Sequence, residues 1–305
     1  MHRPGPVICA IDLDDLAPRL ISAACTLARR TQADVRVVHV VTPGAGAGRP
    51  DESSRPHRLV LPPRSRRATV AREDELAQRV ADAEAMMLRL GVGAEQRLVL
   101  RGHPVLEIQT IATRLDAAML VIGTRGRGSV KAAVLGSVSR DLLRSAPCPV
   151  MVVPSGADEF LRGDAIVCGV DDDGRGDDAA SVAASLVETI GHRLVLAHVA
   201  QRNDVAAARQ AGAAVPVEEL PASAALDPAR LLRDVRRHVR AGVDVTVALR
   251  QGVAADQLAV LARDLDAAAI VVASRGTGPV STMVGGSVAQ ELTTRSHCPV
   301  VVVPA

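Results

Sequence analysis

The chain has 305 residues, about twice an average domain, and 48% of them are hydrophobic, so a disordered polymer is excluded and two cores can be filled. Its net charge is +2 with acids and bases interspersed, and its only aromatic residue is Phe160. It therefore lacks both the clustered basic face and the stacking platforms of a nucleic-acid binder.

Taken in chain order, the first stretch, MHRPGPVICAIDLDD, is broken by Asp12. It reads neither as a signal peptide nor as a membrane span, and no other stretch reaches the ~18 apolar residues that a span needs. The five cysteines, Cys9, Cys25, Cys148, Cys168 and Cys298, form no Cys-x-x-Cys pair. Most sit in or beside apolar runs, as small buried thiols do, and a cytoplasmic protein with reduced thiols is expected.

Five short, β-branched runs follow one another in the first half: PVICAI, DVRVVHVV, QRLVLR, AMLVIG and PVMVV. Such runs suit the buried strands of a parallel sheet. Between the second and third, residues 43–68 are rich in Pro, Gly and Arg and read as an irregular loop. A helix over 70–90 comes next, with Leu76, Val80, Ala83, Met87 and Leu90 three or four apart and Gly91 as its stop.

The second half repeats the first. Residues 118–154 align without gaps to 268–304, with 17 of 37 positions identical. Upstream, Cys9 and Asp12 match Cys168 and Asp171, and His39-Val40 matches His198-Val199, at an offset of 159. In the second copy Asp227, Pro228 and Gly242 mark the cap, first turn and stop of the equivalent helix. The boundaries read as a domain over 1–154, a polar linker over 155–163 and a second domain over 164–305. The expected fold class is α/β: two tandem doubly wound, open-sheet (Rossmann-like) domains. In that fold ligands bind beyond the carboxyl ends of the strands, where strand order reverses.

The fourth strand of copy one ends at Gly123, and the spacing Gly-x2-Gly-x9-Gly-Ser carries it through Gly126 to Gly136-Ser137, where a helix opens. A helix start offers free N–H groups and a positive dipole end to an anion, and Ser137 can cap it or reach a phosphate. On glycines and serine alone, an ordinary turn and N-cap explain the pattern equally well. No Gly-x4-Gly-Lys-Ser/Thr loop occurs, nor Gly-x-Gly-x2-Gly after the first strand.

With the Cys-Pro-Val-x-Val-Val strand that follows each copy, this spacing resembles the universal stress protein family over essentially the whole chain, twice. The resemblance implies five parallel strands and four helices per domain, with ATP or another adenine nucleotide, alone or with Mg²⁺, lying across the strand ends. It implies that Ala10 and Asp12 face the ribose and adenine and that Val40 lines the adenine slot. The loop Gly123, Thr124, Arg125, Gly126, Arg127, Gly128 and Ser129, with Gly136, Ser137 and Val138, would hold the phosphates. The matching set in copy two is Gly169, Asp171, Val199, Ser274, Arg275, Gly276, Gly278, Gly286, Ser287 and Val288. It departs from the pattern at Ala273, where copy one has Gly123. If that position needs a left-handed backbone, the second site binds more weakly.

Other groups carry less. Asp171-Asp172-Asp173-Gly174 lacks the later glutamate of a calcium loop and reads as a solvated turn. His39 and His198 read as packing residues, Arg125 and Arg275 as loop arginines able to screen phosphate, and Lys131 as a surface residue. No nucleophile–base pair, acid pair or metal set recurs, so a regulator is expected and not an enzyme. The rival is a protein-interaction scaffold of the same fold. A nucleotide-hydrolysing or adenylating enzyme would need the His-Ile-Gly-His or Ser-Gly-Gly-x-Asp-Ser motif, and neither occurs. The partners expected are an adenine nucleotide and an unidentified protein. The apolar last strands, 150–153 and 300–303, are expected to pair within the chain, with a homodimer beyond that.

Overall fold

The computed structural model describes residues 4–43, 66–124, 135–155, 161–170, 176–189, 193–200, 243–274 and 288–304. In the first copy, β1 (Val7–Ala10), β2 (Val35–Val41), β3 (Arg97–Arg101), β4 (Met119–Gly123) and β5 (Val150–Val153) alternate with α1 (Ala17–Thr31), α2 (Arg66–Arg89), α3 (Pro104–Arg114) and α4 (Ser137–Ser145). In the second, β6 (Ala165–Gly169), β7 (Arg193–Ala200), β8 (Asp244–Gln251), β9 (Ala267–Ala273) and β10 (Val300–Val303) are joined by α5 (Gly176–Thr189), α6 (Ala254–Asp264) and α7 (Val288–Arg295). The helix anticipated from Asp227 to Gly242 lies outside the described residues.

Each expected strand of copy one forms within a residue of its apolar run. Helix α2 starts at Arg66, so the last residues of the anticipated loop are helical. Its apolar stripe is the one read from spacing: Ala83 and Met87 are buried, while Leu76, Val80 and Leu90 are half-buried between exposed neighbours. The stripe faces the sheet because only that face of the helix removes apolar surface from water.

The strands form one sheet in the order β3-β2-β1-β4-β5-β10-β9-β6-β7-β8. All neighbours run parallel except β5 and β10, which are antiparallel and pair Met151 with Val301 between two Val–Val rungs. Met151 and Val301 occupy equivalent positions in the two copies, so the pseudo-twofold passes through that rung. The apolar last strands thus cover one another's edges within one chain, as bare edges require.

Alternation along the strands sends side chains to two cores. One layer, with Cys9, Val37, Val121 and Met151, lies under α1, α2 and α5. The other, with Ile8, Val38, Leu120 and Val152, lies under α3, α4, α6 and α7. Two glycines fix how the chain enters each domain: a β-carbon on Gly5 or Gly163 would stand 1.7 Å from the carbonyl oxygen of Asp116 or Asp266.

Candidate functional site

Strand order reverses between β1 and β4, and again between β6 and β9. From β1 the chain steps outward to β2 and β3, then returns to the other side of β1 as β4. The helices that follow β1 and β4, α1 and α4, pack on opposite faces of the sheet, so the carboxyl ends of the two strands lie at the switch point where such sheets carry a crevice. In register, Cys9 pairs with Val121, which brings Ala10 level with Ile122 and the exit at Asp12 beside the exit at Gly123.

At this crevice the sheet itself presents polar groups. Ile11 donates its N–H to Val38 O at 2.9 Å, and Gly102 donates to Val41 O at 3.2 Å. Peptide groups alternate between the two neighbours of a strand, so Val38 and Val40 face β1 while Val41 faces β3. The last paired residue of β1 is Ala10, opposite Val38. The N–H and C=O of Val40 therefore aim past the end of β1, into the opening. In copy two Val170 donates to Ala197 O at 2.9 Å, which leaves Val199 in the same position.

The far side of the opening is the start of α4. Gly136 is its N-cap, with φ −66° and ψ 162°, and among the described residues no side chain caps the first turn. Ser137 is therefore the first helical residue, so of the two roles its position allowed, capping the helix or reaching a phosphate, the cap is excluded; its side chain is exposed. The first-turn N–H groups are left for solvent or an anion. Ser139 donates its hydroxyl to Gly123 O at 3.3 Å, tying the helix start to the strand end. Nothing in the sequence flagged Ser139, because its counterpart, Ala289, has no hydroxyl.

Asp12 is exposed at the β1 exit. Leu13 beside it has φ 43°, a left-handed turn uncommon for a leucine. Asp14 then fastens the start of α1: its Oδ1 accepts from Leu16 N at 3.1 Å and its carbonyl from Ala17 N at 3.0 Å. Behind the turn, His39 Nδ1 lies 3.0 Å from Ile11 O, and His198 Nδ1 lies 3.1 Å from Val170 O. A carbonyl only accepts, so each Nδ1 carries the proton. The two histidines, read from sequence as packing residues, hold matched strand exits.

The remaining predicted residues divide by location. Ala10, Val40 and Val138 are half-buried and rim the core layer under α3 and α4, as Val199 and Val288 do in copy two. Gly169, the counterpart of Ala10, ends β6, and a β-carbon there would meet Leu258 Cδ1 at 3.0 Å and Val272 Cγ1 at 3.1 Å. Thr124 is buried; its N–H reaches Val153 O at 3.2 Å and its Oγ1 accepts from Ser155 N at 3.1 Å. These bonds fasten the β4 exit to the end of β5, and Ser274 N repeats the first of them to Val303 O at 2.7 Å. Arg125, Gly126, Arg127, Gly128, Ser129, Asp171, Arg275, Gly276, Gly278, Gly286 and Ser287 lie outside the described residues.

Gly123 and Ala273 are both strand residues, and Gly123 is not among the glycines in the left-handed region. The backbone cost that would have weakened the second site therefore does not arise. What separates the copies here is space, since a β-carbon on Gly123 would crowd Leu16 and Leu20. The counterpart of Leu20 in copy two is the small, fully buried Ala179.

Thiol chemistry is not available at the crevice. Burial pushes Cys168 up to about 12, and Cys9 is raised further by burial and by Cys25 nearby, so both stay protonated. Among the described residues no group of three His, Cys, Asp or Glu is placed to hold a metal ion, and no helix is long and apolar enough to cross a membrane.

Comparison with known proteins fits this duplicated geometry. The sequence pattern of the universal stress protein family matches residues 5–154 and again 164–304. The chain belongs to the universal stress protein family. It is 35% identical over 147 residues to a universal stress protein of Thermus aquaticus, covering 48% of this chain and 96% of that one. To a universal stress protein of Mycobacterium tuberculosis strain H37Rv it is 29% identical over 245 residues, covering 76% of this chain and 78% of that one. A crystal structure of a universal stress protein from Archaeoglobus fulgidus shares the fold across 98% of this chain and 96% of its own, with a TM-score of 0.62 at 19% identity. Like that protein, this universal stress protein carries two domains' worth of the fold.

Proposed function

We propose that this universal stress protein binds ATP or another adenine nucleotide at the two strand-exit crevices and acts as a regulator whose partner contacts follow nucleotide occupancy. The observation that carries the reading is the peptide group of Val40, repeated by Val199, aimed past the end of the neighbouring strand. A donor and an acceptor on one strand edge match the paired acceptor and donor of an adenine edge. The half-buried Ala10, Val40 and Val138 supply apolar walls for a flat base. The uncapped start of α4 supplies N–H groups and a positive dipole end for the phosphates. Asp12, exposed between them, is placed for ribose hydroxyls. Mg²⁺ would accompany the phosphates as a counter-ion, with no protein ligand set assigned to it.

The same inventory argues against rapid turnover. Phosphoryl transfer needs a metal-ligand set and a residue that orients the attacking group. Neither is found among the described residues of the two copies, and turnover is expected well below the ~1 per second of slow ordinary enzymes. The site is placed in the cytoplasm on the same reading. The test is to denature the purified protein, identify the released nucleotide by chromatography, and titrate ATP into the emptied protein by calorimetry. Saturable binding of adenine nucleotides supports the reading; absence of binding at millimolar ATP favours the scaffold.

A further inference from the structure

We propose that His39 and His198 are positioning residues, each locking a strand exit so that the adjoining peptide faces the crevice, with Asp12 presented beside it in the first copy. The inference rests on the nucleotide reading of the same two sites. Ile11 is the last residue before Asp12, and both its backbone groups are held by β2. Its N–H bonds to Val38 O at 2.9 Å, and its carbonyl is bonded by His39 Nδ1 at 3.0 Å. In a continuing parallel ladder the next rung would run from Val40 N–H to that same carbonyl. The imidazole takes the place of that rung. It thereby satisfies the carbonyl, ends the ladder and leaves the Val40 peptide directed at the opening.

The second copy reaches the same arrangement through its own residues. Val170 N bonds to Ala197 O at 2.9 Å, and His198 Nδ1 meets Val170 O at 3.1 Å. His198 is 7% exposed, so an unmet carbonyl beside it would be costly. The same ring nitrogen meets the equivalent carbonyl in both copies.

The turn beyond the lock is one that needs holding. Leu13, two residues after Ile11, sits at φ 43°, a conformation that a leucine adopts only when its surroundings impose it. Ile11 is pinned on one side of Asp12, and Asp14 is fastened to the start of α1 on the other. Asp12 is therefore presented by a strained turn clamped at both ends, with His39 as the clamp on the strand side.

The test compares the full-length protein with two double variants, His39→Asn with His198→Asn, and His39→Leu with His198→Leu. An asparagine Nδ2 can donate near the position of Nδ1, whereas leucine fills space without a donor. ATP titrated by calorimetry is expected to bind the asparagine pair within about threefold of the parent, and the leucine pair roughly three- to tenfold more weakly, the loss of one net hydrogen bond per site. Equal affinity in all three proteins would overturn the proposal. A second readout does not depend on ligand: ¹⁵N NMR of the parent protein should show His39 and His198 protonated at Nδ1. Finding the proton on Nε2 alone overturns the lock, whatever the leucine pair does. If the parent binds no ATP, the nucleotide reading fails, and the tautomer measurement still decides whether the histidines hold the exits.

Discussion

Gly123 lies against Leu16: a β-carbon on the glycine would stand 2.5 Å from Leu16 Cδ2, and 3.0 Å from Leu20 Cδ1 one turn along α1. What distinguishes the glycine that ends β4 is thus packing and not backbone angle, because a β-carbon there would push aside the ends of two leucine side chains. In copy two the larger Ala273 is matched by the smaller Ala179 at the position of Leu20. Gly123→Ala alone is expected to cost about 1–2 kcal/mol through forced shifts of the two leucines. Leu20→Ala alone should cost about 2–4 kcal/mol through the cavity it leaves. Together they should cost at least ~0.5 kcal/mol less than the sum, because the added methyl enters the vacated space. Urea unfolding of the four proteins measures the cycle, and strict additivity would show that the two positions do not exchange volume.

Much of this was legible beforehand, for identifiable reasons. The strands announced themselves because a parallel sheet covered on both faces needs unbroken β-branched runs, and α2 because its stripe at 76, 80, 83, 87 and 90 fits one helical face. The β1 and β4 exits were locatable because the copies repeat Asp12 as Asp171 and the Gly-x9-Gly-Ser spacing that follows β4. Less legible was anything that depended on backbone direction. Ser137 could cap the helix or reach a phosphate on spacing alone, yet the extended angles of a cap fall one residue earlier, at Gly136. Thr124 sat within the glycine loop in sequence but spends its hydrogen bonds on the end of β5. The role of His39 needed the position of the Ile11 carbonyl, which no spacing rule supplies. Only its recurrence as His198 hinted that it was more than filler.

The buried thiols make stability fall in alkali. Desolvation raises Cys148 from 9.0 to about 11 and Cys168 from 9.0 to about 12, while Cys9 lies higher still. The folded state holds these protons more tightly than the unfolded chain does. The contribution is therefore complete below pH 9 and is lost as pH rises from there through the folded values. Across pH 9–11 each such thiol should remove up to about 1.4 kcal/mol per pH unit. Urea midpoints measured at pH 8, 9 and 10 should drop accordingly, and Cys168→Ala should reduce the slope by one proton. A slope unchanged in that variant would show that Cys168 does not carry its share.

The β5–β10 rung is the place where the two copies hold together. Met151 and Val301 are both fully buried across the antiparallel pair. Met151→Asp would bury a carboxylate with no partner, which in practice costs several kcal/mol or forces the pair apart. Full-length protein carrying it should unfold in two steps in urea, one per domain, where the parent unfolds in one. The halves 1–154 and 164–305, expressed apart and mixed, should associate at micromolar concentration in size-exclusion chromatography. Halves that stay monomeric would mean that the shared sheet is held by the linker and not by the strand edges.

The start of α4 gives a test of where the phosphates lie. Gly136 has angles open to any residue but is buried, and among the described residues no side chain caps the helix it begins. Aspartate is among the preferred N-cap residues, and that gain of about 1 kcal/mol offsets part of the cost of setting a carboxylate at a buried position, so Gly136→Asp should stay folded with at most a modest loss of stability. The same carboxylate would sit where the helix dipole and free N–H groups receive a phosphate, and like charges at that range repel. ATP affinity at the first site should therefore fall at least ~10-fold. Gly136→Ser is the control, because it caps the helix without adding charge, and it should keep affinity within about threefold if charge decides the matter. Calorimetric titration resolves the two sites as two populations, with the second unaffected in either variant. Should Gly136→Asp bind ATP as the parent does while remaining folded, phosphate does not lie at the start of α4, and the nucleotide reading of the crevice loses its anion end.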